Sequence, residues 1–353
     1  MPGPVLEDVA KSVGVSASTV SRVLRGKSRG SPALLERIVS AAEALGYSLE
    51  RYRTINPPSR LIGVVLPNIS SLFYAALIAA VEKTATQHGF NVLLSNSDYS
   101  LERERSCLKV LAEKKVDGLL LSPVETHSSL PPDLQGIPVV QVDRRSESIQ
   151  SDLVTTDSFQ GAYDAVKLLI DQGYRRIAII SGPKTHSTGR ERLAGYASAL
   201  REANISLPAE YVQLANFRQE DGYRATLKLL ETELRPEAIF VSNVDMTIGA
   251  LRAIHEQGLH IPDDMGIIGF DDFTFASILV PPLTTVAQPI EMLGMTAVDL
   301  LVRRIVNSAH PDPVTIKLAP RLILRQSTRS RSVNDSAAEA VEYEQETPST
   351  TSR

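Results

Sequence analysis

The sequence predicts an α/β protein: a small all-α head at the N-terminus, then two doubly wound parallel-sheet lobes. Three observations carry that reading. Residues 5–46 hold three short runs of apolar residues at helical spacing, punctuated by Gly14 and Gly46. From Leu61 onward, short continuous apolar runs alternate with amphipathic helical stretches, the pattern of parallel strands covered on both faces. Charge is also divided unevenly. The 353 residues carry a net −4, yet residues 1–60 hold 9 Lys and Arg against 5 Asp and Glu, a local +4 that leaves −8 for the rest. A basic head on an acidic body points to a polyanion site confined to the head.

Within the head, Leu6, Val9, Ala10 and Val13 recur at helical spacing up to Gly14. Ser16 is placed to cap a second helix whose Val20, Val23 and Leu24 turn inward. Ser31 is placed to cap a third, with Pro32 at its first position, a stripe of Leu35, Ile38, Val39, Ala42 and Leu45, and Gly46 as its stop. A glycine between two short helices is the helix-turn-helix signature. The second helix then presents Ala17, Ser18, Ser21, Arg22 and Arg25, a small hydroxyl-rich face that can enter a major groove. Arginine suits guanine, hydroxyls suit phosphates or base edges, and an alanine methyl suits thymine. A plain three-helix bundle with a solvated polar face is the alternative that spacing alone leaves open.

Residues 47–60 read as a linker or hinge, because Pro57 and Pro58 block helix continuation. Residues 61–328 then form the two-lobed core. Its runs include "LIGVVLP", "FNVLLSN", "VDGLLLSP", "PVVQVD", "RRIAIISG", "AIFVSN" and "DMGIIGFDD", separated by helical segments near 73–88, 101–115, 158–172, 190–203, 219–232 and 244–257. The series divides near 143–157, which predicts lobe 1 over about 61–150 plus 290–312 and lobe 2 over about 151–289 plus 313–328. Ligands of open α/β sheets bind beyond the carboxyl ends of the strands, so two facing lobes make a cleft that closes by hinging. Residues 329–353 are rich in Ser, Thr and Glu and predict a disordered tail.

Several function classes are excluded. There is no G-x-G-x-x-G, P-loop, G-x-S-x-G or H-E-x-x-H pattern, and the six histidines lack metal-ligand spacing, so neither an enzyme nor a cofactor or metal is expected. Asp271 and Asp272 are neighbours that point apart in extended backbone, which argues against an acid/base pair. Cys107 is the single cysteine and fits a buried structural thiol in a reducing compartment. No apolar run approaches the ~20 residues of a membrane span and no leader pattern opens the chain, so a cytoplasmic protein without a membrane partner is expected.

The stretch "LEDVAKSVGVSASTVSRVLRG" resembles the DNA-binding head of the lactose/galactose repressor (LacI/GalR) family. The likeness continues in family order through "IGVVLPNISSLFYAALIAAVE", "DGLLLSP", "IPVVQVDR", "RLAGY", "PDDMGIIGFDD", "PPLTTVAQP" and "LILRQST", covering roughly residues 5–328. The resemblance implies a bacterial transcriptional regulator with a core of periplasmic-binding-protein type. It implies a homodimer on double-stranded operator DNA, most often a repressor, whose affinity changes when a small effector enters the cleft. Ala17, Ser18 and Arg22 then occupy base-reading positions, with Thr19 and Ser21 either at phosphate-contact positions or simply on the helix surface. For the effector, the resemblance implies Ser70, Ser71 and Phe73 after the first strand and Asp143 with Arg144 after the fourth. It adds Arg190 and Arg192, Phe217 as an aromatic wall, Asn243, and Asp271 of "GFDD". Phe73 can equally be helix-start packing and Asp143 a helix cap.

Two departures from the family pattern stand out. Val244 occupies the place of the usual Asp after Asn243, with Asp245 next to it. The hinge segment "LERYRTINPPSR" lacks the family's leucine wedge and is about two residues short. Either Ile55, near Arg53, substitutes as the wedge or the hinge helix is absent. The cations Arg144, Arg145, Lys184, Arg190 and Arg192 all fall near strand ends, and neutral sugars need few cations. A carbohydrate effector of sugar-acid or other anionic type is therefore expected.

Overall fold

The computed structural model describes residues 4–24, 32–47, 59–306 and 312–330, and the chain divides into two units, 1–60 and 61–353. Ser31, Arg25, Arg53, Ile55, most of the 47–60 linker and residues 331–353 lie outside the described residues.

In the head, α1 (Leu6–Val13), α2 (Ala17–Leu24) and α3 (Pro32–Ala44) surround a core of Val9, Ala10, Val13, Val20, Val23, Ile38 and Ala42. Gly14 ends α1 at φ +74°, left-handed geometry that costs glycine nothing. The Ser16 hydroxyl accepts the Thr19 amide at 3.2 Å and so starts α2, and Arg37 donates to the Val13 carbonyl at 2.8 Å. The stripe of α3 differs from the expected one. Leu34 packs on the core while Leu35 is exposed, and Leu45 falls beyond the last helical residue and is exposed.

The second unit contains two six-stranded sheets. The first has the order β11-β5-β4-β3-β1-β2, built from β1 (Leu61–Leu66), β2 (Asn91–Asn96), β3 (Gly118–Leu121), β4 (Val139–Val142), β5 (Asp152–Thr156) and β11 (Thr315–Leu318). Helices α4 (Leu72–Gln87), α5 (Leu101–Glu113) and α10 (Ile290–Val306) cover it. The second has the order β12-β10-β9-β8-β6-β7, from β6 (Ile177–Ser181), β7 (Val212–Leu214), β8 (Ala238–Val241), β9 (Gly266–Phe270), β10 (Thr284–Ala287) and β12 (Arg321–Ile323). It is covered by α6 (Ser158–Asp171), α7 (Ser187–Glu202), α8 (Gln219–Leu230) and α9 (Val244–Glu256). All pairings are parallel except β10 with β12. The central strands are buried residue after residue, which is why they read as unbroken apolar runs.

The lobe boundaries fall later than the sequence suggests. β5 pairs with β4 and β11 pairs with β5, so both belong to lobe 1, and the chain changes lobe after β5, after β10 and between β11 and β12. The physical reason is one buried carboxylate. Asp152 at the start of β5 accepts both Arg304 Nε and Nη2 at 2.7 Å, and the Val314 amide at 2.7 Å, which ties β5, α10 and the approach to β11 into one lobe. Among the described residues no helix is long and apolar enough to cross a membrane.

Asp152→Ala removes two charge-assisted hydrogen bonds of Arg304, which keeps the Asp312 carbonyl, and leaves the Val314 amide without its acceptor. It is expected to lower the unfolding free energy by about 1–3 kcal/mol, read as a fall in the urea midpoint of the full-length protein.

Candidate functional site

One cavity in the second unit is lined from both lobes, and each lining residue lies just past a strand's carboxyl end or in the first turns of the next helix. From lobe 1 come Ser71, Phe73 and Tyr74 at the start of α4, Tyr99 after β2, and Asp143 and Arg144 after β4. From lobe 2 come Thr188 and Arg192 of α7, Phe217 after β7, Asn243 after β8, Asp271 after β9 and Gln288 after β10. Eight of the ten residues that the sequence singled out for the effector thus meet in one place. The cavity holds only about 20 Å³, room for about one water, and the buried Arg144 side chain takes up part of its lining beside two aromatic rings.

Ser70 and Arg190 are the two that do not line it. Ser70 is exposed in the turn before α4, its amide donating to Asn68 Oδ1 at 3.0 Å. Arg190 points outward and pairs with Glu147 at 2.9 Å. Two residues on, a helical side chain is turned by about 200°, so Arg190 and Arg192 cannot both face inward. Arg145 and Lys184 are exposed as well. Tyr74, Tyr99, Thr188 and Gln288 were not foreseen. Gln288 sits in the quoted "PPLTTVAQP" and Tyr74 beside Phe73, whereas Tyr99 follows an edge strand with no pattern to mark it.

Local backbone sets the side-chain directions. Tyr99, Asp143, Phe217 and Asp271 all adopt positive φ, between +58° and +76°, the strained geometry that binding sites retain where neighbours enforce it. The tip of the Phe217 ring lies against Gly182, where any Cβ would overlap it. Asn243 caps α9 by accepting the Met246 amide at 3.0 Å and donates to the Phe217 carbonyl at 3.2 Å, so its role includes fixing that loop. Val244 is buried, and its amide donates to Asp271 at 3.2 Å. Asp245 turns instead toward Ser71 and Tyr99 of lobe 1, and burial raises its pKa.

The two carboxylates keep acceptor capacity. Asp271 accepts Gln288 Nε2 at 2.6 Å, and burial pushes its pKa up while Arg192 opposes the shift. Asp143 accepts the Tyr74 hydroxyl at 2.8 Å. Asp272 points away to Arg325 and Thr285, so the two neighbouring carboxylates do not form a pair, although Asp271 is left-handed rather than extended. Arg192 donates to the Ser242 carbonyl at 2.6 Å and to Ser158 Oγ at 3.3 Å, with its guanidinium 3.7 Å above the Phe270 ring. At the rim, the lobes meet through Asp98 with Arg218 at 2.9 Å and the Thr126 amide with the Thr185 carbonyl at 2.9 Å.

In the head, α2 exposes Ser18 and Arg22, with Thr19 and Ser21 half-exposed, while Ala17 packs partly on the core. Arg22 Nε donates back to the Ser18 carbonyl at 3.3 Å, leaving its tip in solvent.

His186, which precedes α7 and packs edge-on to Phe217 at 5.6 Å, has its pKa pulled down to about 3 by burial and by the Arg144 charge. The unfolded imidazole titrates near 6.5 and so binds protons more tightly. Its contribution to stability is therefore intact above about pH 6.5 and is lost as pH falls toward 3, by up to about 1.4 kcal/mol per unit. His186→Phe is expected to flatten the pH dependence of urea unfolding between pH 7 and pH 5 relative to the parent protein.

Known proteins share this arrangement. A family model described as bacterial regulatory proteins, lacI family, matches residues 5–49, and one described as a periplasmic binding protein-like domain matches residues 166–328. The HTH-type transcriptional repressor PurR of Escherichia coli is 36% identical over 329 residues, spanning 91% of this chain and 96% of that protein. PurR of Pasteurella multocida is 35% identical over 333 residues, 92% of this chain and 99% of that one. The transcriptional regulator CelR in complex with cellobiose superposes with a TM-score of 0.71 at 33% identity, covering 92% of this chain and 99% of that chain. A lac repressor dimer bound to operator and the anti-inducer ONPF gives 0.67 at 27% identity, covering 93% and 100%. With a matching head, a matching core and repressor relatives aligned along nearly its whole length, the chain belongs to the LacI family and is a DNA-binding transcriptional repressor with a ligand-binding core.

Proposed function

We propose that this repressor works as a homodimer on a pseudo-palindromic operator and that a carbohydrate effector, favoured to be a sugar acid, sets its affinity from the cleft between the lobes. The observation that carries this reading is the convergence of Asp143, Arg144, Arg192, Phe217, Asn243 and Asp271 on one buried cavity between two sheets. Carboxylates with spare lone pairs accept sugar hydroxyls, an aromatic ring takes the apolar face of a pyranose, and guanidinium groups suit a carboxylate or phosphate. CelR, with cellobiose bound, supports a carbohydrate as the ligand class.

The cavity's present volume is far below that of a hexose, so the lobes part for entry and close on the ligand. Three chain crossings make that motion a hinge. The effector alters operator affinity only as far as it binds the two arrangements unequally. Two-fold symmetry of the dimer is matched by two half-sites, each read by one α2 through Ser18 and Arg22, with Thr19 and Ser21 toward the backbone. The 47–60 segment passes the lobe motion to the heads.

Titration calorimetry of the full-length protein with glucose, galactose and the corresponding aldonic and uronic acids tests the effector class, with operator binding followed by fluorescence anisotropy. Failure of every member both to bind and to change operator affinity would remove the carbohydrate reading. Arg192→Ala is expected to weaken effector binding at least tenfold, whereas Arg190→Ala, which breaks an exposed ion pair, changes it less than about threefold. Arg22→Ala is expected to cost about 1–3 kcal/mol of specific operator binding while random-sequence DNA is held almost as before.

A further inference from the structure

Arg144 is a buried cation whose own donors are underused. Its guanidinium carbon lies 5.3 Å from the Tyr99 ring centre and 4.9 Å from that of Phe217. The two rings stand 6.4 Å apart and are inclined by only 22°, Tyr99 belonging to lobe 1 and Phe217 to lobe 2. The residue is 3% exposed. Nevertheless its Nε and Nη1 are buried with no hydrogen-bond partner among the described residues. The nearest carboxylate, Asp143, is 3.8 Å from Nε and already accepts the Tyr74 hydroxyl.

Arg192 in the same cavity is the contrast, since its Nη1 and Nε both donate within the protein. A buried donor left unmade costs stability, so a group that reaches these two nitrogens gains their hydrogen bonds at no cost to existing ones. Burial pulls the pKa of Arg144 down, but the oxygens of Tyr74, Tyr99 and Asp143 outweigh it and the net direction is up, so the group stays charged.

From this geometry we propose that Arg144 is the specificity-determining residue of the cleft, taking the carboxylate or phosphate of an anionic effector onto the unpartnered edge of its guanidinium. Tyr99 and Phe217 are its positioning residues. Both rings lie against one side of the group, where they shield it from water and restrict the rotamer freedom that a solvated arginine would lose on binding. The inference rests on the reading that the effector occupies this cavity, and it names the charge that effector must carry. Lysine, a point charge without a planar edge, cannot reproduce it.

The test uses the full-length protein, Arg144→Met and Arg144→Lys, titrated with glucose, gluconate, glucuronate and glucose 6-phosphate. The expected result is that the parent binds at least one anionic member at least tenfold more tightly than glucose. Arg144→Met should abolish that preference by weakening the anionic members far more than glucose, and Arg144→Lys should restore only part of it. The carboxylate and phosphate members distinguish the two sources of the anion. Thermal unfolding gives a second readout, free of any sugar. Inorganic phosphate should raise the Tm of the parent but not of Arg144→Met, against sodium chloride of equal ionic strength.

An anion preference that survives in Arg144→Met overturns the proposal, as does an equal loss for glucose and the acids. Tight binding of glucose alone overturns it too, and leaves the carbohydrate reading standing. If no sugar binds, the carbohydrate reading falls by itself and the phosphate result decides: stabilisation that needs Arg144 supports the anion site, and its absence in the parent overturns it.

Discussion

The carboxylate of Asp152 is the point on which the core's architecture turns. It sits almost dry at the start of β5, where it would be costly unless fully satisfied, and it is satisfied by two nitrogens of Arg304 and one backbone amide. Those partners arrive from the end of a helix and from the approach to a strand more than 150 residues away in sequence. Satisfying one buried charge therefore brings the returning chain onto lobe 1 and fixes where the crossings between lobes run. The crossings in turn bring the carboxyl ends of both sheets toward one another, and the cavity is built from what stands at those ends.

Much of this was legible in the sequence because it rests on local pattern. Unbroken apolar strands, glycine stops and the Gly14 turn each follow from physics within a few residues, and the head and both sheets come from them. Membership of β5 and β11 is different. A strand's partner is chosen by long-range pairing and by the Asp152 junction, which no window of residues displays, so the boundary near 150 falls one strand early. The same limit applied at the cavity. Asp143, Phe217 and Asp271 lie within motifs, but Arg190 and Arg192 are told apart only by helical phase. Tyr99 faces the cavity because of a left-handed turn after an edge strand, a feature that carries no sequence signature.

Charge in the cavity is balanced in an unusual way. Two guanidinium groups face two carboxylates, yet the four do not pair into two compact bridges. Arg192 spends its donors on a carbonyl and a hydroxyl, Asp271 is held by an amide side chain and a backbone amide, and Asp143 by a phenol. Holding each group with neutral partners keeps it oriented without quenching it. The left-handed backbone at Asp143, Phe217 and Asp271 belongs to the same design, since the surrounding packing holds strain in order to aim these groups inward.

The three crossings have a consequence for how this chain can be divided. Neither lobe is encoded by a contiguous stretch, because lobe 1 takes its last strand from residues 315–318 and lobe 2 takes its last from 321–323. A nascent chain cannot complete either sheet until almost the whole sequence has emerged, so the two lobes finish folding together. A stop anywhere before residue 315 strips an edge strand from both, and exposes two unpaired sheet edges where the intact protein has none at those positions.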